Sequence, residues 1–305
     1  MHIPNAMLQG PICPVTATIS VIGVAIAALV AFRSKIKPSA ARFGAITALI
    51  FAAQMMNFPI QDGTSGHLLG GVLASVLLGT PFGILAVSLV VTIQCIVFSD
   101  GGFTVLGANI LNMALIGAGL GGLLRMYFLD KLPVRSLQYA SRLGLIAWFS
   151  VMLAALAVSI ELALSGTIAF SKVVVTMLGT HTLIGIGEGL ITMAACFAFA
   201  QELKPVEASK KWSVTAPLVA SGVIATVLSP FASGFPDGLE WVAAKFQFLH
   251  EAAPTFVSPL PDYSVLSVSN AAISTGLAGL IGVSLTFLVA WSTAKMLAIP
   301  LRRLS

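Results

Sequence analysis

Apolar runs close to the roughly 20 residues needed to cross a bilayer alternate along this chain with short polar or basic stretches. This pattern predicts an all-α polytopic membrane protein with about nine transmembrane helices by length. One run is short for a full span, and the last two are separated by a non-membrane loop, 235–266. The predicted spans cover residues 15–32, 40–57, 67–79, 81–98, 105–124, 143–164, 182–199, 214–231 and 271–296.

The order of the spans indicates two parts. We predict a seven-span core at residues 1–205 and an accessory part at 206–305, in which two spans flank the loop outside the membrane. Composition agrees with a membrane protein, because 57% of the residues are hydrophobic, only 9% are charged and the mean hydropathy is +1.00. Soluble domains carry about 25% charged residues.

The basic residues predict the orientation. Of the 16 Lys and Arg residues, all but Lys172 and Lys245 fall in the stretches 33–42, 125–142, 201–212 and 295–305. Cytoplasmic loops carry such an excess, so the N-terminus is predicted outside, in a bacterial or archaeal cell membrane. The net charge of +5 is explained by these loops, and we expect no nucleic acid partner.

The chain start offers an unusual set of metal donors. The α-amine of Met1, the backbone amide nitrogen of His2 and Nδ1 of the His2 ring can form two chelate rings that share the amide nitrogen. Such near-planar nitrogen donors suit d⁸ and d⁹ divalent ions. From the first residues alone, a disordered terminus is the favoured interpretation.

The open in-plane position suits a further imidazole. His67, which follows the glycine-rich loop Gly63–Gly66 and is predicted on the same outer side as Met1, His2 and Asp100, is our candidate. No Lys or Arg precedes the first apolar run, and a His at position 2 disfavours removal of Met1, so we expect Met1 to remain. The three cysteines are widely separated and offer neither a zinc site nor a disulfide framework.

Polar residues within the predicted spans form a second group. Polar side chains inside a membrane protein either line a pocket or join helices by hydrogen bonds. Asn109 and Asn112 share a helix face, and His181 and Glu188 are two turns apart. The residues that we assign to a pocket, or to holding metal ligands in place, are Asn57, Ser65, Gln94, Asn109, Asn112, His181 and Glu188. The pairs Ala41/Ala45 and Ala48/Ala52 permit close packing, either within the protein or against a partner.

Several motifs together resemble the cobalt/nickel substrate-binding (S) component of energy-coupling-factor transporters, the CbiM/NikM family. Farther on, Phe235–Glu240 resembles the PDGLE motif of the small accessory subunit of the NikN/CbiN type, so the chain looks like a fusion of the two. The sequence departs from the common family pattern at Asn5-Ala6. The core motifs are Met1-His2-Ile3-Pro4, Met56–Pro59, Gly63–Gly71, Asp100–Gly102, Leu106–Asn109, Asn112-Met113 and His181–Gly189.

The resemblance implies a substrate-capture subunit of an ATP-driven importer. Met1, His2 and His67 would bind Ni²⁺ or Co²⁺ as the transported ion, with no resident cofactor. The implied partners are a transmembrane coupling (T) protein and two cytoplasmic ATPases. The chain itself has no G-x-x-x-x-G-K-[ST] loop, so we expect no ATPase activity and no enzyme.

Two other function classes stay open from the residues. An intramembrane metalloenzyme would typically show His-Glu-x-x-His or three clustered ligands, and no such motif occurs here. A passive divalent-cation channel is disfavoured by tightly binding nitrogen donors. The acidic accessory loop, with Asp237, Glu240, Glu251 and Asp262, is interpreted as solvated, although it can also attract cations or contact the core.

Overall fold

The computed structural model describes residues 1–199, 214–249 and 256–298, and these residues form a helical bundle. Within these described residues, six helices are long and apolar enough to cross a membrane, and two shorter helices are also apolar. The elements in chain order are α1 (Ile12–Arg33), α2 (Ala40–Gln54), β1 (Phe58–Pro59), β2 (Ser65–Gly66), α3 (Gly71–Leu78), α4 (Thr80–Phe98), α5 (Phe103–Leu129), α6 (Leu137–Leu164), α7 (Phe170–Ala198), α8 (Thr215–Phe231), α9 (Gly238–Lys245) and α10 (Ala271–Ala298).

Local sequence signals explain where several helices begin. Ser39 and Ser136 precede α2 and α6, and each hydroxyl accepts a hydrogen bond from an amide of the first turn. Asp237 and Glu240 form a reciprocal capping box at the start of α9. Large apolar side chains such as Val21, Ile22 and Ile26 face outward from α1, as expected where a helix meets lipid.

The all-α prediction is confirmed, with differences in extent. The predicted span 182–199 is the second part of α7, which begins at Phe170. Polar residues such as Lys172 and His181 interrupt the apolar run there but do not interrupt the helix. The predicted loop 58–66 contains a two-stranded antiparallel hairpin that pairs Phe58 with Gly66. The predicted basic loop 201–212, the boundary at 205/206, Glu251 and the tail after residue 298 lie outside the described residues.

The third predicted span, 67–79, is a broken element. Its helix, α3, has eight residues, a length of about 12 Å that is too short to cross a bilayer. The preceding residues 67–70 are irregular and buried. The count of nine crossings therefore stays a prediction.

Side chains satisfy the backbone of this irregular stretch. The amides of Leu69 and Gly70 donate to the two carboxylate oxygens of Glu188, at 2.6 and 2.9 Å. The carbonyl of Leu69 accepts from Nε2 of Gln54 at 2.7 Å. Non-helical backbone inside a membrane protein needs such partners, because no water is available to replace them.

The accessory helices pack directly on the core. Helix α10 lies along α2, and α8 contacts α2 as well. Gly44 of α2 lies against Phe287, and Gly282 of α10 lies against Phe51 and Phe98, so small residues let the helix surfaces approach. Ala45, Ala48 and Ala52 of α2 are fully buried. Of the two alternatives for the alanine pairs, the structure favours packing within the protein.

Candidate metal site

The first residues of the chain are folded into the bundle. Met1, His2 and Ile3 are all buried. The amide of Ile3 donates to Oδ1 of Asn109 at 2.8 Å, and Nδ2 of Asn109 donates back to the Ile3 carbonyl at 3.1 Å. The amide of Gly102 donates to the same carbonyl at 2.8 Å. This pairing holds the chain start in one position, so the disordered-terminus alternative is wrong.

Two of the predicted donors lie next to each other. The α-amine nitrogen of Met1 is 2.6 Å from Nε2 of His67. Two donors that bind one ion at about 2.0 Å and at right angles are about 2.8 Å apart, so this spacing fits adjacent ligands. The His2 and His67 rings stack, with centroids 5.1 Å apart and planes at 20°.

The backbone sets the protonation of His67. Its Nδ1 lies 3.0 Å from the carbonyl oxygen of Leu68, which can only accept, so the ring proton stays on Nδ1. Nε2 then presents a lone pair toward the Met1 amine. A metal-binding imidazole is typically oriented in this way by a carbonyl or carboxylate on its other nitrogen.

The His2 ring is held by two core residues. Its Nδ1 lies 3.0 Å from Oδ1 of Asp100, and its Nε2 lies 3.1 Å from Oε1 of Gln94. Metal binding through Nδ1 would therefore replace the contact with Asp100. Asp100 was predicted on the same side but without a role. The motif Asp100-Gly101-Gly102 was the available signal, and in the structure a Cβ at Gly101 would lie 2.9 Å from Nδ2 of Asn109.

Asp237 of the accessory part also reaches this site. Its Oδ2 accepts a hydrogen bond from the Met1 amine at 2.7 Å, and the two groups form a shielded ion pair. Of the alternatives for this acidic loop, the structure therefore favours contact with the core at Asp237. Asp237 was named from the sequence, but its partner Met1, 236 positions away, could not be predicted.

Both carboxyl groups are held in the ionised form. Burial alone would raise the pKa of Asp100, but the adjacent His2 ring outweighs burial and lowers that pKa below its usual range. Burial would likewise raise the pKa of Asp237, but the positive charge of the Met1 amine outweighs burial and lowers that pKa. Two negative charges beside the nitrogen donors favour a divalent cation here.

The other predicted pocket residues have different partners. Gln94 contacts His2, and Asn109 contacts Ile3. Ser65 and Asn57 join the core to the accessory part: Oγ of Ser65 donates to the Phe235 carbonyl at 2.8 Å, and the Asn57 carbonyl accepts from the Ser233 amide at 2.8 Å.

The remaining three, Asn112, Glu188 and His181, form hydrogen bonds with residues other than the predicted donors. Nδ2 of Asn112 donates to Glu161 at 2.8 Å, a buried partner that the sequence analysis did not single out. Glu188 holds the irregular stretch after His67. Nδ1 of His181 donates to the Met177 carbonyl of its own helix at 2.8 Å. The His181 ring packs against Gly238, where a Cβ would lie 3.1 Å from Cε1 of the ring. His181 and Glu188 thus share a helix face but have different partners.

Comparison with known proteins assigns the chain to a family. Residues 2–207 match CbiM, described as the cobalt uptake substrate-specific transmembrane region. The chain belongs to the CbiM family. In this CbiM-family chain, residues 211–299 match the PDGLE domain.

Relatives share the two-part layout. A putative fused nickel transport protein NikMN of Archaeoglobus fulgidus is 32% identical over 290 residues, which cover 92% of this chain and 94% of that protein. The fused nickel transport protein NikMN of Rhodobacter capsulatus is 27% identical over 330 residues, covering 93% and 94%. A crystal structure of a truncated transition metal transporter matches with a TM-score of 0.57 and 29% identity, over 66% of this chain and 99% of that one. These similarities support a role in metal uptake.

Proposed function

We propose that this chain is the substrate-capture subunit of an ATP-driven energy-coupling-factor importer for Ni²⁺ or Co²⁺. The ion is bound by the Met1 amine, by the amide nitrogen and Nδ1 of His2, and by Nε2 of His67. The observation that carries this proposal is the 2.6 Å approach of the Met1 amine to Nε2 of His67, whose other nitrogen is held on a carbonyl.

The donor chemistry favours nickel. Nitrogen donors in a plane suit d⁸ ions, and the usual affinity order places Ni²⁺ above Co²⁺. Relatives with the same fused layout are named as nickel transport proteins. We therefore propose Ni²⁺ as the preferred ion, with Co²⁺ bound more weakly.

The remaining partners are those that the family resemblance implies. The chain itself carries no phosphate-binding loop for ATP, and in this proposal two cytoplasmic ATPases supply the energy through a transmembrane coupling protein. The site opens outside the cell membrane in the orientation that the basic loops predict. Ion capture then occurs on the side from which the metal arrives.

Alternative functions have less support. Among residues 1–199, 214–249 and 256–298, no three His, Cys, Asp or Glu side chains come together as a metal site. A zinc enzyme normally supplies three such ligands, whereas a site built on the chain start uses backbone nitrogen. The donors Met1, His2 and His67 are also buried, which suits capture of an ion better than rapid conduction.

Metal titration of the purified protein tests the proposal. We expect His2→Ala and His67→Ala each to abolish high-affinity Ni²⁺ binding in isothermal titration calorimetry. A histidine-free tag placed before Met1 should do the same, because it moves the amine away from the His2 donors. The matched controls are Gln61→Ala, at an exposed position in the hairpin that precedes His67, and the same tag placed after Ser305. Intact binding after the N-terminal addition would refute the proposed site.

A further inference from the structure

The accessory part contacts both halves of the candidate site. Asp237 accepts a hydrogen bond from the Met1 amine at 2.7 Å. On the other side, the Tyr263 hydroxyl donates to Oδ2 of Asp100 at 2.6 Å, while Oδ1 of Asp100 faces His2. Asp237 and Tyr263, each more than 160 positions along the chain from the residue that it contacts, thus reach Met1 directly and His2 through Asp100.

Asp237 is fixed in place by its own backbone surroundings. Its Oδ1 accepts from the amides of Leu239 and Glu240, at 2.8 and 2.9 Å, which leaves Oδ2 for the Met1 amine. A carboxylate with one oxygen capping a helix cannot rotate freely about its Cβ–Cγ bond. The direction of the second oxygen is therefore set by helix α9.

Helix α9 is in turn anchored to the core. Leu239 and Val242 are fully buried in the same apolar cluster as Met1 and Ile3. The amide of Ser65 donates to the Pro236 carbonyl at 2.9 Å, and Ser65 pairs with Asp237 in a parallel bridge. A Cβ at Gly238 would lie 2.7 Å from the Ile184 side chain. These contacts fix helix α9 on the core and thereby hold Asp237 beside the Met1 amine.

We propose that Asp237 is a positioning residue for the metal site, so that the PDGLE part completes the site that the core begins. This inference rests on the proposed function. A metal-bound primary amine keeps two N–H groups, and Oδ2 of Asp237 accepts one of them. The amine lone pair then points to the proposed position of the ion, as does the lone pair on Nε2 of His67. Removing a residue that orients a metal ligand typically weakens binding by roughly 10–100-fold.

Asp237→Asn separates this role from folding. Asparagine is as good a helix cap as aspartate, so the variant keeps the start of α9 and puts an NH2 group, which cannot accept from the Met1 amine, in place of the charged Oδ2. The matched control is Asp262→Asn, an exposed acid of the same accessory part, whose left-handed backbone suits asparagine. Tyr263→Phe is a second variant, which removes the hydroxyl that holds Asp100.

The experiment is calorimetric titration of full-length protein with Ni²⁺, together with the visible absorption spectrum of the nickel-saturated form. We expect Asp237→Asn to weaken Ni²⁺ binding roughly 10–100-fold and to shift the absorption bands, because the amine is no longer held in the plane. Tyr263→Phe should weaken binding less. Asp262→Asn should match the wild type in both measurements.

Wild-type protein and His67→Ala, titrated in parallel, separate the two possible failures. If the wild type binds no Ni²⁺, or if His67→Ala binds as the wild type does, the proposed function is wrong. If both behave as expected but Asp237→Asn keeps the wild-type affinity and spectrum, or binds more tightly, the positioning role is wrong. In the last case Asp237 only neutralises the free amine.

Discussion

At the scale of single residues, buried polar groups hold the irregular backbone beside the donors. Glu188 is fully buried, and its two oxygens accept the amides of Leu69 and Gly70. Those amides lie two and three residues after His67 and just before α3, so the carboxylate fixes the path of the chain next to the imidazole. A role near the pocket was predicted for Glu188, but this partner was not.

Glu188→Gln tests this role. An amide side chain keeps one acceptor oxygen and presents a donor to the second backbone amide, which then loses its partner. A buried group without its hydrogen bond costs roughly 1–3 kcal/mol, so we expect a lower thermal stability in detergent and weaker Ni²⁺ binding.

Glu161→Gln is the matched control for Glu188→Gln. Glu161 is also a buried glutamate in a long helix, but its partner is the side chain of Asn112. A glutamine there can still accept from Asn112. Equal losses of Ni²⁺ affinity in the two variants would argue against a specific role for Glu188.

At the scale of elements, the short helix α3 depends on close packing against α5. The central stretch of α5, Leu111–Leu120, is π-helical, and the Ser75 hydroxyl donates to the Ala118 carbonyl at 2.7 Å within it. Gly71, the first residue of α3, meets the backbone of Gly117 and Ala118. The broken span is therefore held by backbone contact that only glycine permits.

Gly71→Ala should disturb this contact. The new Cβ would lie 2.5 Å from the Gly117 carbonyl carbon and 2.6 Å from the Ala118 nitrogen, so the helices must move apart. Overpacking of this kind costs roughly 1–3 kcal/mol, and we expect a lower melting temperature in detergent. Gly179→Ala, in α7 and with open space at its Cβ, should be neutral or stabilising because alanine favours helix. A Gly71→Ala protein as stable as wild type would contradict the packing argument.

At the scale of the whole molecule, the loops divide between two ends of the bundle. The chain start, the hairpin after α2, the loop at Asp100 and the PDGLE segment meet at one end, through the contacts of Met1, His2 and Ser65 described above. The basic loop 130–136 joins α5 to α6, so it follows a helix that starts near Asp100 and runs to the opposite end. Positive residues mark the cytoplasmic side, which predicts that the metal site faces outside.

Cysteine labelling in intact cells tests this orientation. In a background with the three native cysteines replaced, Asp62→Cys in the hairpin should react with a membrane-impermeant maleimide. Lys131→Cys, in the basic loop, should react only after the cells are opened. Both positions are exposed, so the side of the membrane on which each cysteine lies decides whether it is labelled in intact cells. Labelling of Lys131→Cys in intact cells would reverse the predicted orientation.

Local sequence patterns predicted much of this fold, because a helix that crosses a bilayer needs an apolar run of a given length. This requirement does not depend on the rest of the chain. The helices, the asymmetry of charge and the Met1-His2 donor set were all readable in this way. His67 was predicted as a donor from its glycine-rich loop and the family resemblance. The early start of α7 and the irregular backbone of residues 67–70 before α3 were not readable, since polar residues facing the interior and broken helices both depart from the hydropathy pattern.

Only the folded chain decided what surrounds the donors. Met1 and Asp237 are 236 positions apart, and neither residue's neighbours in sequence indicate the other. Their contact results from the packing of α9 on the core and of α10 on α2, which depends on side-chain shape across distant segments. The same holds for Tyr263 with Asp100 and for Glu188 with Leu69. Chemical type and spacing along the chain predict the donors, whereas the carboxylates and hydrogen bonds around them arise from tertiary packing.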